Sequence, residues 1–419
     1  MAFENVFGKG KKELIEEWRF NSKNPIVSSL VASNLSNNGE NLIIFGTKSG
    51  QVFAISDKSE IKWLYKIKRN IDKIQAFFVD ETRDNSIYVK PFAYDINNDG
   101  KKEILIGSDS GEVICLDING KELWKFETQG KIRGMPFVAE TSKGLMVIVT
   151  STKGKIFWLD VNGNIVDERQ VESGIESTPL FFKDNGKDRL VFGSNDGYIY
   201  CFNEQKEVLW RYKTQGKVSA RPVITNLDTK DKIFIIIGSH DGFLYALDSF
   251  GNFHWKFKTQ DKIVNEIALA DFNKDGIPEI VFCSYDSNIY ALNASGDLIW
   301  NYQTDFWIEE RPIIEDIDND GNQEVIVGSY DHSLYILDAQ GSFLLNYVPG
   351  ISKLSNQAGH FSDFVTSDPG QYKGKKLAKE DLGGIVIGTD LIIDKNKKKW
   401  IIVAVKNGDI QKFEFKTKG

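Results

Sequence analysis

The segment DINNDGKKEILIGSDSGEVICLDINGKELWKF, residues 95–126, holds the pattern that decides the fold. An acidic loop opens it, and two short runs rich in Ile, Leu and Val follow, each bounded by Gly or Asp. A last run ends in Trp-Lys-Phe. Short apolar runs separated by Gly, Asn and Asp are typical of β-strands joined by tight turns. The segment therefore predicts a small antiparallel sheet.

The strand–turn–strand part of this segment, GSDSGEVICLD (107–117), recurs along the chain. The other copies are GTKSGQVFAIS (46–56), TSTKGKIFWLD (150–160), GSNDGYIYCFN (193–203), GSHDGFLYALD (238–248), CSYDSNIYALN (283–293), GSYDHSLYILD (328–338) and AVKNGDIQKFE (404–414). Most neighbouring copies are 43 to 45 residues apart, with intervals of 61 and 76 at the two ends. A fixed period of this length indicates a repeat architecture.

Each unit has room for four strands, as the fifth shows with ARPVITNL (220–227), KIFIIIGS (232–239), GFLYALD (242–248) and NFHWKFKT (252–259). Eight units of four strands predict an all-β fold, an eight-bladed β-propeller that occupies residues 1–419 as one domain. The last copy ends at its third strand, DIQKFEF (409–415), and ELIEEWRF (13–20) has the pattern of a fourth. We expect residues 13–20 to complete the eighth blade and close the ring, which removes an exposed edge.

A tryptophan near the end of most units carries a resemblance to a known family. LDINGKELWKF (116–126), LDSFGNFHWKF (247–257) and LNASGDLIWNY (292–302) resemble the tryptophan-docking repeat of quinoprotein-type (PQQ-like) propellers. The position is held by Trp18, Trp63, Trp124, Trp210, Trp255 and Trp300, and the third and seventh units depart with Asp167 and Leu345. We interpret these tryptophans as core residues that wedge neighbouring blades together, not as a cofactor site.

Three predicted loops between first and second strands are acidic: DINNDGKKE (95–103), DFNKDGIPE (271–279) and DIDNDGNQE (316–324). Oxygen side chains stand at positions 1, 3 and 5, Gly at 6 and a carboxylate at 9, a spacing that lets hard oxygen ligands converge on Ca²⁺. The loops resemble the calcium loops of FG-GAP (integrin-type) and VCBS repeats. That resemblance implies structural Ca²⁺ held by Asp95, Asn97, Asp99 and Glu103; Asp271, Asn273, Asp275 and Glu279; and Asp316, Asp318, Asp320 and Glu324. A polar turn without metal is the alternative.

The links from one blade to the next should lie on the opposite face and deliver each first strand to the central channel. Lys90, Arg221 and Arg311 precede prolines in these links. Such cations could hold an anionic peptide or metabolite, or they could be solvated rim residues. Two long insertions, 68–86 and 351–381, are predicted for the same kind of link and the same face. Their aromatic residues include Phe77, Phe78, His360, Phe361 and Phe364.

Composition and the remaining motifs argue against several classes of protein. The net charge of −7 and the lack of a basic run argue against nucleic acid, and the longest apolar runs are too short to span a bilayer. The N-terminal stretch has no apolar signal region, and Cys115, Cys201 and Cys283 fall in strands of different units, as small buried hydrophobes would. We expect a cytoplasmic protein; an extracellular or periplasmic chain with its signal peptide removed is the alternative.

The sequence favours a non-catalytic scaffold that binds other proteins or peptides through the face with the two insertions, because long loops on rigid folds often carry function. A quinoprotein dehydrogenase, or another propeller enzyme acting in the channel, is the alternative. Quinoprotein dehydrogenases stack the quinone on a disulfide between adjacent cysteines, and the chain has no Cys-Cys pair, so no PQQ is expected. Its four histidines show neither a nucleophile pairing nor a zinc spacing.

Overall fold

The computed structural model describes residues 12–35, 40–68, 85–227, 232–338, 372–373, 375–394 and 396–417. Within these ranges the chain forms strands β1 to β33, and none of the residues is helical. The strands make eight sheets, one per blade, and the first strand of each blade faces a central channel while the fourth lies at the rim. The predicted eight-bladed, all-β propeller with four-stranded blades is confirmed.

In blades 1 to 5 the strands follow chain order from channel to rim. Their bounds are, for blade 1, β2 (Ile26–Asn34), β3 (Asn41–Thr47), β4 (Gln51–Ser56) and β5 (Ile61–Lys66); for blade 2, β6 (Phe92–Tyr94), β7 (Glu103–Gly107), β8 (Glu112–Leu116) and β9 (Glu122–Glu127); for blade 3, β10 (Phe137–Thr141), β11 (Gly144–Thr150), β12 (Lys155–Leu159) and β13 (Ile165–Gln170); for blade 4, β14 (Leu180–Asp184), β15 (Lys187–Gly193), β16 (Tyr198–Phe202) and β17 (Val208–Lys213); and for blade 5, β18 (Val223–Thr225), β19 (Phe234–Gly238), β20 (Phe243–Asp248) and β21 (Phe253–Lys258).

Blades 6 to 8 vary this plan. Blade 6 has β22 (Ala268–Ala270), β23 (Glu279–Cys283), β24 (Asn288–Leu292) and β25 (Leu298–Gln303), with β29 (Tyr372–Lys373) added at its rim; blade 7 has β26 (Ile313–Glu315), β27 (Glu324–Gly328), β28 (Ser333–Asp338) and β30 (Lys375–Asp381); and blade 8 has β31 (Val386–Ile393), β32 (Lys399–Val405), β33 (Asp409–Thr417) and β1 (Lys12–Asn21). All pairings are antiparallel except that of β25 with β29, which is parallel.

The burial of the strands follows from their place in a blade. The second and third strands are mostly buried, and β7 and β8 are buried at every residue, because both of their faces contact neighbouring blades. The fourth strand, such as β9, exposes alternate residues because one side meets solvent. Apolar clusters therefore lie between blades: Phe234 and Ile236 of blade 5 pack with Ile280 and Phe282 of blade 6.

The ring closes as predicted. β1 pairs antiparallel with β33, with Leu14 opposite Phe415 and Phe20 opposite Ile410. Phe20 also meets the rings of Phe45 and Phe53 in blade 1, at centroid distances of 6.4 and 6.1 Å. The eighth blade thus combines strands from both ends of the described chain.

The tryptophans of the repeat join successive blades. Five of the six donate through the indole Nε1 to a main-chain oxygen in the turn between the third and fourth strands of the next blade: Trp18 to Asp57 (2.8 Å), Trp63 to Ile118 (2.8 Å), Trp124 to Val161 (2.9 Å), Trp210 to Ser249 (2.9 Å) and Trp255 to Ala294 (3.0 Å). The ring of Trp255 also lies so close to Gly296 that a Cβ there would approach it to 2.6 Å. Gly296 has φ 82°, so both its conformation and its close approach to the indole favour glycine here.

Blade 3 replaces this contact with an ion pair. Asp167 stands where six other blades have tryptophan, and Lys206 of blade 4, with φ 62°, stands where the turns facing Trp63, Trp124, Trp210 and Trp255 have glycine. The Lys206 Nζ lies 3.0 Å from Asp167 Oδ2 and 5.0 Å from the ring centroid of Trp158. The two departures from the repeat therefore compensate one another, because the lysine side chain occupies space that a tryptophan would fill.

The seventh blade corrects the prediction for segment 351–381. Its fourth strand is β30, so the end of that segment belongs to the blade and not to a link. Leu345, assigned above to the fourth strand, lies outside the described residues. The excursion leaves after Asp338, which pairs with Glu324 beside the acidic loop, whereas 68–86 follows β5 on the face of the inter-blade links. The described residues from which the two excursions depart therefore lie on opposite faces, because the third-to-fourth connection of an antiparallel blade lies at the same end as the first-to-second. Residues 69–84 and 339–371 lie outside the described residues, so the face that they share stays a prediction.

The cysteines are buried, free thiols in blades 2, 4 and 6, as expected for small apolar residues. Burial raises the pKa of Cys115 and Cys201 to about 12. Among the residues that the structure describes, no helix has the length and apolar character needed to cross a membrane.

Candidate functional site

The three acidic loops share one backbone conformation. Position 4 is left-handed in each, at Asn98 (φ 60°), Lys274 (φ 61°) and Asn319 (φ 59°), and so is position 6, at Gly100 (φ 83°), Gly276 (φ 85°) and Gly321 (φ 90°). The first aspartate accepts hydrogen bonds from the N–H groups of positions 5 and 6, as Asp95 does from Asp99 (3.1 Å) and Gly100 (2.8 Å). The backbone therefore curls around the side chains of positions 1, 3 and 9.

In blades 2 and 6 an amide closes the loop. Asn97 Oδ1 accepts the N–H of Asp99 (2.9 Å), which orients the amide so that Nδ2 donates to Glu103 Oε1 (3.1 Å). Asn273 and Glu279 repeat this contact at 3.1 Å. Burial raises the pKa of both glutamates. In both loops the amide of position 3 is therefore joined to the carboxylate of position 9 by a hydrogen bond.

In blade 7 the same position is a carboxylate. One oxygen each of Asp316, Asp318 and Glu324 lie within 4.8 Å of one another, which in the described part of the chain is the one such group of three potential metal ligands. Glu324 is buried, and its Oε2 accepts the N–H of Ile317 (3.0 Å). From blade 8, Lys399 approaches the main-chain oxygen of Asp316 and pairs with Glu315 at 2.9 Å. The three loops are therefore alike in backbone but not in chemistry.

A cavity of about 660 Å³ occupies the channel. The structure places Lys90, Arg221 and Arg311 on its wall, together with Glu266. A residue before proline is held in an extended conformation, which fixes where these links turn into the first strands. The three cations predicted near the mouth therefore line one cavity.

The cations of the cavity are paired. Lys90 Nζ lies 3.2 Å from Asp390 Oδ2, a contact that spans from blade 2 to blade 8. Arg221 and Arg311 both contact the same oxygen of Glu266, at 3.0 and 3.5 Å. Sequence reasoning missed Asp390, because it lies within the first strand of a blade whose link has no proline.

Glu310 is a buried carboxyl group on the cavity wall. Thr389 Oγ1 of blade 8 donates to its Oε2 (2.9 Å), and Oε1 has no hydrogen-bond partner. Burial raises the pKa of Glu310 to about 8. The sequence analysis missed it, although one signal was present: the corresponding residues of other units are uncharged, namely Val89, Gly134, Ser177, Ala220 and Asn265.

An aromatic group lies on the face of the inter-blade links, where blades 6 and 7 meet. The ring of Trp307 lies between those of Tyr285 and Tyr330, at centroid distances of 5.7 and 5.8 Å, and both tyrosine hydroxyls donate to Glu309. Phe306, 42% exposed, adjoins Trp307 at 4.2 Å. We name Tyr285, Phe306, Trp307 and Tyr330 the blade 6–7 surface. Sequence reasoning did not find it because its residues come from separate turns.

The predicted partner-binding aromatics Phe77, Phe78, His360, Phe361 and Phe364 lie outside the described residues, so their role stays a prediction.

Comparison with known proteins agrees with this architecture. The family profile of the lambda-carrageenase beta-propeller domain matches residues 86–174 and 234–344. The chain is a β-propeller. Similar solved structures include BamB from Moraxella catarrhalis (16% identity, TM-score 0.64, 97% of this chain and 99% of that chain), the C-terminal WD40 domain of Sif2 (15%, 0.61, 96% and 99%) and BBS1N in complex with ARL6DN (10%, 0.54, 79% and 95%). No curated protein matched in sequence.

Proposed function

We propose that the protein is a non-catalytic propeller that binds another protein or peptide on the blade 6–7 surface. The observation that carries this proposal is the aromatic group itself: Phe306 is exposed beside Trp307, on turns held by a rigid ring. Tryptophan and tyrosine are enriched among the residues that dominate binding energy at interfaces. BBS1N, whose structure contains ARL6DN, is a similar propeller with a protein partner.

The charges around this surface favour a partner with polar groups of both signs. Lys262 lies 3.9 Å from the ring centroid of Tyr285, and Lys379 pairs with the exposed Asp305 at 2.7 Å. Glu309 stands between the two tyrosines. A peptide with one apolar anchor and flanking charges would match this pattern, because charged rims steer and orient a partner.

A quinoprotein function fits less well. Its cofactor would require a disulfide between adjacent cysteines facing the cavity, whereas the cysteines are buried in three different blades. The residues present therefore do not fit that mode of quinone binding.

The binding proposal is tested by capture of partners from native extract with immobilised protein. Phe306→Asp should reduce recovery of the partner at least tenfold, because it places a charge at the apolar anchor. Phe250→Asp is the matched control, since Phe250 is 69% exposed on the turn between the third and fourth strands of blade 5, on the opposite face. Equal recovery by the Phe306→Asp variant and the wild type would rule out this surface.

We also propose that the loop of blade 7 binds a structural Ca²⁺, while the loops of blades 2 and 6 are closed by their own asparagines. Three carboxylates within 4.8 Å in blade 7 repel one another, and a hard divalent cation would relieve that repulsion. Asp316, Asp318 and Glu324 would supply side-chain oxygens, with water and main-chain carbonyls completing the shell. In the other two loops an uncharged asparagine amide donates a hydrogen bond to the glutamate, so that contact links positions 3 and 9 without a metal.

Calcium should raise the melting temperature of the wild-type protein by about 2 °C or more, because it binds the folded state alone. Asp318→Asn introduces the residue that blades 2 and 6 carry at this position, so the variant should lose the calcium response yet melt in EDTA no lower than the wild type. Differential scanning calorimetry with and without Ca²⁺ measures both. Asp271→Asn in blade 6 is the matched control and should leave the response intact. A response that survives Asp318→Asn would contradict the assignment.

A further inference from the structure

The blade 6–7 surface adjoins the mouth of the central cavity. Glu309, which accepts the hydroxyls of Tyr285 and Tyr330, also lines the cavity. In the links of the two neighbouring blades the corresponding residues are Val264 and Ile387, which are partly exposed and line the cavity as well. Each of the three directly follows a fully buried link residue: Ile263, Ile308 or Val386. The mouth is therefore apolar on both sides of Glu309.

The opposite side of the mouth is polar. Its side chains are already bonded to neighbours outside the cavity wall: Arg133 to Asp109 (2.8 Å), Glu176 to Lys217 (2.7 Å) and Ser219 to His240 (2.8 Å). A chain that enters the cavity from the blade 6–7 surface would cross the apolar side and leave these contacts intact.

The charges of the cavity wall balance one another. The charged lining residues are four cations, Lys90, Arg133, Arg221 and Arg311, and five carboxyl groups, Glu176, Glu266, Glu309, Glu310 and Asp390. Burial raises the pKa of Glu310 to about 8, so this group is protonated at neutral pH and four negative charges remain. Glu266 contacts both Arg221 and Arg311, and Lys90 pairs with Asp390. The wall therefore has no excess charge for an ionic ligand and favours an uncharged one.

Below the mouth the wall offers hydrogen-bond donors and apolar surface. The side chain of Arg311 is 54% exposed, and only one of its five N–H groups is used in its contact with Glu266, so others can donate to main-chain carbonyls. Leu269 and Ile314, in the first strands β22 and β26, are partly exposed and line the cavity. A cavity of about 660 Å³ is in the usual range for drug-sized ligands, so a short stretch of extended chain fits.

We propose that the partner bound on the blade 6–7 surface also inserts an uncharged, extended segment into the central cavity, past Val264 and Glu309. The inference rests on the proposed function, because one partner would occupy both places. The continuity of the surface with the cavity at Glu309 supports it, and so does the balance of charge on the wall. In the partner, the apolar anchor that contacts Phe306 would be followed by uncharged residues, with an apolar side chain against Leu269.

Photocrosslinking with the partner recovered by the wild-type protein tests the inference. Asp305→Cys, beside the blade 6–7 surface, and Leu269→Cys, within the cavity, are each labelled with a short alkyl diazirine. The three native cysteines are buried, so the label should attach to the introduced thiol alone. Both positions should crosslink to the partner, and mass spectrometry should place the residue linked from Leu269→Cys in an uncharged stretch close in sequence to the residue linked from Asp305→Cys. Val208→Cys, on the rim strand β17, is the control and should give no crosslink.

A charge on the apolar side of the mouth should weaken binding. Val264→Asp should lower recovery of the partner by about tenfold or more, because the inserted segment would bury the new carboxylate. Val208→Asp is the matched control, because Val208 is 50% exposed at the rim, and should leave recovery unchanged. A thermal melt of each variant checks that it is folded.

The outcomes separate this inference from the docking proposal. A crosslink from Asp305→Cys with none from Leu269→Cys would overturn the inference and leave the docking proposal standing, and so would a crosslink from Leu269→Cys to a charged segment. Recovery of the partner that survives Phe306→Asp, or recovery of no partner by the wild-type protein, would overturn both.

Discussion

Removal of residues 1–21 opens the ring and lowers the melting temperature by about 5–10 °C. β1 supplies the outer strand of blade 8, where Trp18 and Phe20 pack on the core shared with blade 1 and Leu14 on the core shared with blade 7. Burial of three such side chains contributes about 5 kcal/mol, which corresponds to a shift of this size in a chain of this length. The exposed edge of β33 should also promote association of the truncated chains, because an unpaired edge strand can pair with strands of other molecules. Calorimetry and size-exclusion chromatography measure the two effects.

Removal of residues 1–11 alone is the control and should change neither quantity, since β1 begins at Lys12. A synthetic peptide of residues 12–21, added to the shortened protein, should restore much of the lost stability. A truncated chain that melts within 1 °C of the full one would show that closure by β1 does not stabilise the ring.

Glu310 should make the protein less stable as the pH rises from 6 to 8. Burial raises the pKa of Glu310 from its ordinary 4.5 to about 8. Between these values the folded state keeps a proton that the unfolded state has lost, so the free energy of unfolding falls as the pH rises, by up to about 1.4 kcal/mol per pH unit. Below pH 4.5 the contribution is fully present, and above pH 8 it is gone.

Glu310→Gln keeps an acceptor for the Thr389 hydroxyl and removes the titration. The free energy of unfolding of this variant, relative to the wild type, should therefore rise by about 2 kcal/mol between pH 6 and pH 8. Urea unfolding at each pH provides the comparison, and Glu60→Gln, at an exposed carboxyl, is the matched control. A constant difference between Glu310→Gln and the wild type across this range would show that Glu310 is ionised in the folded state.

The parts of the fold that depend on local pattern could be predicted from sequence. Strand alternation, turn glycines and the period together specify four-stranded blades, and the unmatched strands at the two ends specify the closure. The fourth strand of blade 7 could not be found, because KKLAKED (375–381) has neither a tryptophan nor a clear alternation and lies far from β28 in the chain.

The sequence also could not distinguish the three acidic loops from one another. Asparagine and aspartate count alike as oxygen side chains in the loop pattern, yet the N–H of Asp99 turns the Asn97 amide so that it donates to Glu103. Asp318 cannot donate in this way. Glu310 and Thr389 are 79 positions apart in the chain, and no local sequence motif predicts a contact between them.

The strand that finishes the ring is synthesised before all the others described. Asn21 and Asp409, which meet at the junction of β1 and β33, are separated by 388 positions. During translation β1 therefore has no strand to pair with until β33 leaves the ribosome. The early blades of such a nascent chain are therefore exposed to aggregation for longer than those of a propeller whose last blade comes from one continuous segment.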